Sequence, residues 1–227
     1  MAAVGLNKLI KVPAVEGARL SLDQINALLQ TPVRSIDQAP RSHLALTPPA
    51  IGCLLSHLAI WRWTIANDFP RVLVFEDDAA PAADFDAGSF RIAMRSLRGA
   101  GLVFVGRIIM NGLADRPTDG ATLARLYYFN GTFAYIITPA ACRTLIRAMI
   151  RPDRHIDHQI SKVLIDQRAT FPAYYTVPHF FEPDWSLRSD CYVPIEGETD
   201  ADRELGQLLD SNRRLLLSEG RPLLPAS

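Results

Sequence analysis

The sequence predicts a three-layer α/β fold, with helices packed on both faces of a central sheet. Three short runs rich in apolar and β-branched residues, 72–75, 102–105 and 132–138, have the length and composition of buried strands. Segments with helical spacing separate these runs, and this alternation is typical of α/β proteins. We therefore expect the three strands to be neighbours in one sheet.

The helices are identified by apolar residues spaced three and four positions apart. Ser21 is the expected N-cap of a first helix that ends near residue 29. Pro48 and Pro49 prevent the second helix from starting earlier and are tolerated in its first turn. The expected helices cover 20–29, 50–66, 90–98, 139–150, about 156–164 and a tail from 200 to about 220.

Domain organisation follows from the same pattern. Residues 1–195 hold every expected strand, so we interpret them as one domain with a sizeable core. Residues 196–227 contain an amphipathic helix, and such a helix usually packs its apolar face on the parent domain.

The strongest functional signal is RVLVFEDD at residues 71–78. Its apolar run ends in three adjacent carboxylates, Glu76, Asp77 and Asp78, where open α/β sheets place their ligands. Adjacent like charges repel, so a cation would stabilise them. Carboxylate oxygens suit hard divalent ions such as Mg²⁺ or Mn²⁺. A solvated acidic loop is the alternative interpretation.

Upstream lies GCLLSH at residues 52–57, followed by Trp61. On the predicted helix, its glycine, cysteine, serine and histidine form a small or polar strip beside the apolar stripe. His57 invites two interpretations: a hydrogen-bonded core residue, or a group that orients the carboxylates.

The order GCxxSH, Trp, then an apolar run ending in EDD resembles glycosyltransferase family 25. This family includes bacterial lipo-oligosaccharide galactosyltransferases and collagen galactosyltransferases. The resemblance spans roughly residues 10–192, with five blocks in the family's order. The further blocks are PAVEG at 13–17, GTFAYIIT at 131–138, HID at 155–157 and SD at 189–190.

The resemblance implies a GT-A-like fold with a Rossmann-like, mostly parallel central sheet. It also implies a UDP-sugar donor, Mn²⁺ or Mg²⁺, and inverting transfer of a hexose, galactose first, to a glycan or lipo-oligosaccharide. By resemblance, the metal ligands are Asp78, Glu76 and, from a late aromatic segment, His179. Glu76, Asp77 and His57 are the further candidates around the bound nucleotide.

An inverting transfer needs a general base near the acceptor hydroxyl. Asp157 is the first choice, because it lies in the matching block at the start of a helix, and Asp190 is the second. Asp157 also has a structural interpretation, since a carboxylate at that position caps the helix amides and stabilises the helix dipole.

The amino-terminal region departs from the family pattern. Family members open with a strand, an arginine-containing turn and a helix, whereas only residues 1–12 precede the PAVEG block here. In doubly wound sheets the first strand and its turn help to hold the nucleotide, so weak donor turnover is expected.

This departure motivates a second hypothesis, a catalytically silent GT-A-like module that binds a partner or a glycan. A metal-dependent phosphohydrolase is a third hypothesis, since acidic strand ends serve that chemistry as well. It accounts less well for GCxxSH, which has no evident part in phosphate ester hydrolysis.

Composition excludes other classes. The 227 residues carry 24 basic and 24 acidic side chains, and the resulting zero net charge argues against a nucleic-acid binder. No apolar run approaches the length of a membrane span, and we find no secretory signal, so a cytoplasmic protein is expected. Arg143, Arg147 and Arg151 share a predicted helix face that is either solvated or contacts anionic head groups at the inner membrane surface.

The three cysteines, Cys53, Cys142 and Cys191, are widely spaced. The spacing indicates neither a zinc cluster nor a disulfide framework. Cys53 and Cys142 fall in apolar helical settings and are interpreted as small buried side chains.

Overall fold

The computed structural model describes residues 9–29, 46–97, 99–107, 113–149, 151–187, 191 and 200–223. The α-helices in these ranges are α1 (Leu22–Leu29), α2 (Pro48–Ala66), α3 (Ala87–Ser96), α4 (Pro139–Ala148), α5 (Ile156–Asp166) and α6 (Asp200–Ser218). The strands are β1 (Val72–Phe75), β2 (Ala79–Pro81), β3 (Leu102–Phe104), β4 (Leu113–Ala114), β5 (Leu123–Tyr128), β6 (Ala134–Ile137), β7 (Ala173–Thr176) and β8 (Phe181–Pro183).

The main sheet has six strands in the order β1-β6-β3-β7-β5-β4. Only β3 and β7 pair in parallel, and the other neighbouring pairs are antiparallel. The α/β class is confirmed, but the expectation of a mostly parallel sheet is wrong. The reason is that β6 lies between β1 and β3 and runs against both, which a list of apolar runs cannot reveal.

The three strands expected to be neighbours are indeed adjacent, in the order β1-β6-β3. Among the described residues, however, β1 is an edge strand that pairs only with β6, from Val72↔Ile137 to Phe75↔Ala134. Since β1 and β3 are both antiparallel to β6, they run in the same direction, and β7 runs with β3. The carboxyl ends of β1, β3 and β7 therefore meet at one edge of the sheet.

The apolar runs did not predict β4, β5, β7 or the small antiparallel pair β2·β8. β7 lies in a segment that is rich in aromatic residues and proline and has few periodic signals. β5 includes Arg125, which interrupts the apolar run. In the sheet β5 pairs with β4 and β7, and β7 pairs with β5 and β3, so both strands are covered by neighbours, some of them distant in the chain.

Helix α2 begins at Pro48, two residues before the expected start, because Thr47 caps it by accepting a hydrogen bond from the Ala50 amide at 3.3 Å. Its apolar stripe is buried as predicted, with Ile51 and Trp61 fully inaccessible. At α1, Ser21 and Gln24 exchange backbone–side-chain hydrogen bonds of 2.8 and 3.2 Å, which confirms the predicted cap.

Helix α4 is shorter than expected and ends at Ala148. Arg151 therefore lies beyond the helix, and the predicted face of three arginines is wrong. The chain turns after the helix, so Arg151 does not share its face, while Arg143 and Arg147 remain on α4.

The amino-terminal segment lies against α2 with almost no space between the backbones. A Cβ atom on Gly17 would overlap the Pro48 carbonyl, and one on Gly52 would overlap the Val15 carbonyl. Ser56 Oγ accepts a hydrogen bond from the Val15 amide at 2.9 Å. The glycine and serine of GCxxSH therefore hold this segment in place.

Helix α6 contacts the domain near its end. Leu216 and Leu223 are buried in a cluster with Tyr127 and Tyr128 of β5. None of the helices in the described part of the chain has both the length and the apolarity that crossing a membrane requires.

Candidate functional site

Glu76 is the first residue after β1, and its side chain is held from two sides. His57 Nε2 lies 2.9 Å from Glu76 Oε1, and the Thr132 hydroxyl donates to the same oxygen. The Glu76 amide donates to the Phe133 carbonyl at 2.9 Å, which extends the β1·β6 ladder by one residue. The carboxylate is therefore fixed in direction.

His57 belongs to a chain of hydrogen bonds that passes through the core. Trp61 Nε1 donates to the Tyr135 hydroxyl at 2.9 Å, and that hydroxyl lies 2.7 Å from His57 Nδ1. An indole N–H can only donate, so the Tyr135 oxygen accepts from Trp61. A neutral His57 that donates from Nε2 to the Glu76 carboxylate then accepts the Tyr135 proton at Nδ1. His57 is only 4% exposed, so both interpretations of it hold at once: it is a core residue, and it orients a carboxylate.

Cys53 lies one helical turn before His57 and faces the same point. The Cys53 Sγ, a His57 ring nitrogen and a Glu76 carboxylate oxygen all lie within 4.8 Å of one another. The hydrogen bond with the Cys191 thiol, followed by burial and by the negative charge of Glu76, raises the pKa of Cys53 well above its ordinary range. Without a cation its thiol therefore stays protonated and is a poor nucleophile.

Asp78 differs from Glu76 although it is only two residues away. Its Oδ1 atom is buried and has no hydrogen-bond partner. Burial, and then the negative charges of Glu76 and Asp77, raise the pKa of Asp78 above 3.8. The charge of Asp184 acts in the same direction. A buried, unsatisfied carboxylate oxygen among other carboxylates fits a hard divalent cation.

Asp157 lies at the start of α5, as predicted. Its Oδ2 accepts the Gly131 amide at 2.9 Å, and its Oδ1 accepts the His158 amide at 2.8 Å. These bonds anchor the loop before β6 to α5. The charge of Asp157 also contributes to the raised pKa of Cys53, so it lies within electrostatic reach of the Glu76 region. Its role as general base stays a prediction.

His179 lines a pocket of about 260 Å³ at the carboxyl ends of β3 and β7. The pocket also contains Arg107, Thr176 and the cis peptide between Val177 and Pro178. In the sheet, β7 lies three strands away from β1. At a spacing of about 4.8 Å between strands, the ends of β7 and β1 are about 14 Å apart.

The predicted metal ligands Asp78, Glu76 and His179 do not come together in the described part of the chain. The group whose ligand atoms lie within 4.8 Å is instead Cys53, His57 and Glu76. Asp77 is exposed beside them. Asp190, the second choice for the base, lies outside the described residues.

Sequence reasoning missed Thr132, Tyr135 and Cys191. The first two belong to GTFAYIIT, which was identified as a family block without roles for its members. A tyrosine in a buried strand needs a hydrogen-bond partner, and this was the available signal. Nothing in the sequence indicates that Cys191 contacts Cys53.

Comparison with known proteins shows which protein family the chain resembles. The family model described as "Glycosyltransferase family 25 (LPS biosynthesis protein)" matches residues 12–92, from the amino-terminal segment through α2, β1 and the carboxylates into α3. The matched region thus contains GCxxSH and EDD.

Individual relatives agree with the family model. A "Glycosyltransferase 25 family member" of Drosophila melanogaster is 30% identical over 141 residues, 60% of this chain and 22% of the relative. The human "Inactive glycosyltransferase 25 family member 3" is 32% identical over 114 residues, 48% of this chain and 19% of the relative. The human "Procollagen galactosyltransferase 2" is 28% identical over 143 residues, 60% of this chain and 22% of the relative.

These matches show that the chain is similar to glycosyltransferases. More particularly, they support its assignment to glycosyltransferase family 25 and confirm the resemblance drawn from the motifs. The matched part spans about a fifth of the length of these curated relatives.

Proposed function

We propose that the protein transfers a hexose, with galactose as the first candidate, from a UDP-sugar to a glycan or lipo-oligosaccharide acceptor. The observation that carries this proposal is the family match over residues 12–92, which includes both GCxxSH and the carboxylates after β1. A relative named for galactosyl transfer to procollagen makes galactose the first sugar to test.

Asp78, with Glu76 and Asp77, would hold a hard divalent cation, Mn²⁺ or Mg²⁺. When bound, that ion supplies Lewis-acid neutralisation of the departing diphosphate. The buried, unpaired Oδ1 of Asp78 supports this assignment. Glu76 is held by His57 and Thr132, so its orientation is set before any ligand arrives.

The acceptor would bind in the pocket that contains Arg107 and His179, at the same edge of the sheet. A guanidinium there suits an anionic or hydroxyl-rich acceptor. Asp157 would be the general base. Each of its oxygens accepts one backbone amide, and a carboxylate oxygen has a second lone pair for a proton.

Calorimetric titration with UDP, with and without Mn²⁺, tests the donor site, and turnover of UDP-galactose and UDP-glucose tests the reaction. We expect Mn²⁺-dependent UDP binding, and we expect Asp78→Ala to abolish it. The matched control is Cys142→Ala, since this buried side chain lies in the apolar core and should leave binding unchanged. Unaltered UDP binding by the Asp78 variant would refute the metal role.

The second candidate function is a binding module without turnover. Relatives named as inactive, such as the human family member 3, support it. In that case UDP or a glycan would bind, but no product would form from either donor. Release of UDP from UDP-galactose at several turnovers per protein would exclude this candidate.

A further inference from the structure

A second group of side chains that could hold a metal ion includes Glu76 but not Asp78. Cys53 and His57 lie four residues apart on α2 and therefore face one direction. Their sulfur and nitrogen atoms lie within 4.8 Å of each other and of a Glu76 oxygen. Cys191, from beyond β8, hydrogen-bonds to the Cys53 thiol and adds a second sulfur.

The chemistry of these donors differs from that of the carboxylates alone. A thiolate sulfur, an imidazole nitrogen and a carboxylate oxygen are all ligands that Zn²⁺ takes in proteins, and the Cys191 sulfur beside Cys53 would complete a tetrahedral set. Hard ions such as Mg²⁺ and Mn²⁺ prefer oxygen and gain little from thiolates. The two donor sets therefore select different ions.

The residues around this cluster hold its side chains by hydrogen bonds, as the residues around the ligands of known metal sites do. Tyr135 hydrogen-bonds to His57 Nδ1, so Nε2 faces Glu76 and Cys53. Thr132 holds Glu76 Oε1 from its far side. Residues in these positions orient metal ligands and are worth about 10–100-fold in affinity in known sites.

We propose that Cys53, His57 and Glu76, together with Cys191, form a binding site for Zn²⁺ or a similar thiophilic divalent ion, which shares only Glu76 with the proposed cation site at Asp78. On binding, the two thiols release their protons to solvent, and the His57 proton moves through solvent from Nε2 to Nδ1, from which His57 donates to the Tyr135 oxygen. Tyr135 then accepts from both Trp61 and His57, which its oxygen allows. The site does not depend on the proposed transferase activity.

Co²⁺ titration of the metal-stripped full chain tests this site. We expect an intense thiolate-to-cobalt charge-transfer band and tetrahedral d–d bands that saturate at one equivalent, and we expect Zn²⁺ to bleach both. Cys53→Ser and Cys191→Ser should each weaken the band and lower the Co²⁺ affinity at least about 100-fold, whereas Thr132→Val should lower it about 10-fold. Circular dichroism of each variant establishes that it is folded.

Cys142→Ala is the matched control, because this thiol is buried elsewhere in the core, and its titration should equal that of the wild type. Asp78→Asn should also leave the thiolate band intact, which separates this site from the carboxylate site. The proposal is overturned if no thiolate band forms, or if the band survives in the folded Cys53→Ser variant.

Discussion

Glu76 and Asp78 stand two residues apart on the same loop, yet their surroundings are opposite. Glu76 accepts hydrogen bonds from His57 and Thr132, whereas Asp78 has a buried oxygen with no partner and a raised pKa. Asp77, which lies between them in the turn after β1, is exposed. The comparison shows that one run of three acids supplies a carboxylate held by hydrogen bonds and an unsatisfied one that a cation would complete.

The largest expected effect comes from removing the partner that satisfies Glu76. His57→Leu leaves the Glu76 carboxylate and the Tyr135 hydroxyl without their hydrogen bonds to His57. It also changes the shape of a buried side chain. We expect a loss of about 3 kcal/mol in the free energy of unfolding, measured by urea denaturation. Asp77→Asn is the control, since its side chain is exposed and should change stability by less than about 0.5 kcal/mol. A His57 variant as stable as this control would show that the network contributes nothing to stability.

Tyr135→Phe should have the next largest effect. It removes only a hydroxyl, but that hydroxyl serves both Trp61 Nε1 and His57 Nδ1. Two buried groups then lose a partner, so we expect a loss of about 2 kcal/mol. Thermal unfolding should show a decrease in Tm of about 2–4 °C for each kcal/mol in a chain of this size. Tyr174→Phe, a half-buried tyrosine of β7, is the matched control and should cost less.

Asp78→Asn should have the smallest effect and the opposite sign. The pKa of Asp78 is raised when the protein folds, so its contribution to stability is fully present below 3.8 and is lost as the pH rises through the raised value. At pH 7 the charged carboxylate is therefore unfavourable, and the asparagine variant should be about 1 kcal/mol more stable in metal-free buffer.

That gain should shrink as the pH falls through the raised pKa and vanish below 3.8, where the wild-type carboxyl is protonated in both states. Mn²⁺ should raise the Tm of the wild type and not that of the variant. Denaturation curves at pH 7 and pH 4 measure both effects. A variant that is less stable than the wild type at pH 7 would contradict the account of Asp78 as an unsatisfied charge.

Much of the local structure was predictable. The three apolar runs became β1, β3 and β6, and the spacing of Ile51 to Trp61 became the buried stripe of α2. Such signals are local, because burial on one helix face or in one short strand is encoded by the order of apolar residues. The EDD and GCxxSH motifs are equally local, and they were sufficient to indicate the resemblance to glycosyltransferase family 25.

The arrangement of the site was not predictable from the sequence. The metal ligands that we expected from the acidic run after β1 and from the family resemblance did not include Cys53, which we interpreted as a small buried side chain. The structure brings Cys53 to Glu76 and Cys191, although these residues are far apart in the chain. The spacing of three widely separated cysteines does not predict a metal site. The contact between Cys53 and Cys191 depends on how α2 packs and on the path of the chain after β8.

By itself, then, the sequence determined the helices, the apolar strands, the acidic end of β1 and the resemblance to the family. Only the tertiary structure decided that β6 runs between β1 and β3, that His57 and Thr132 satisfy Glu76, and that Asp78 is left without a partner. The physical reason is that periodicity and motif order are properties of neighbouring residues. Strand direction and hydrogen-bond satisfaction depend instead on which distant segments the packed core brings together.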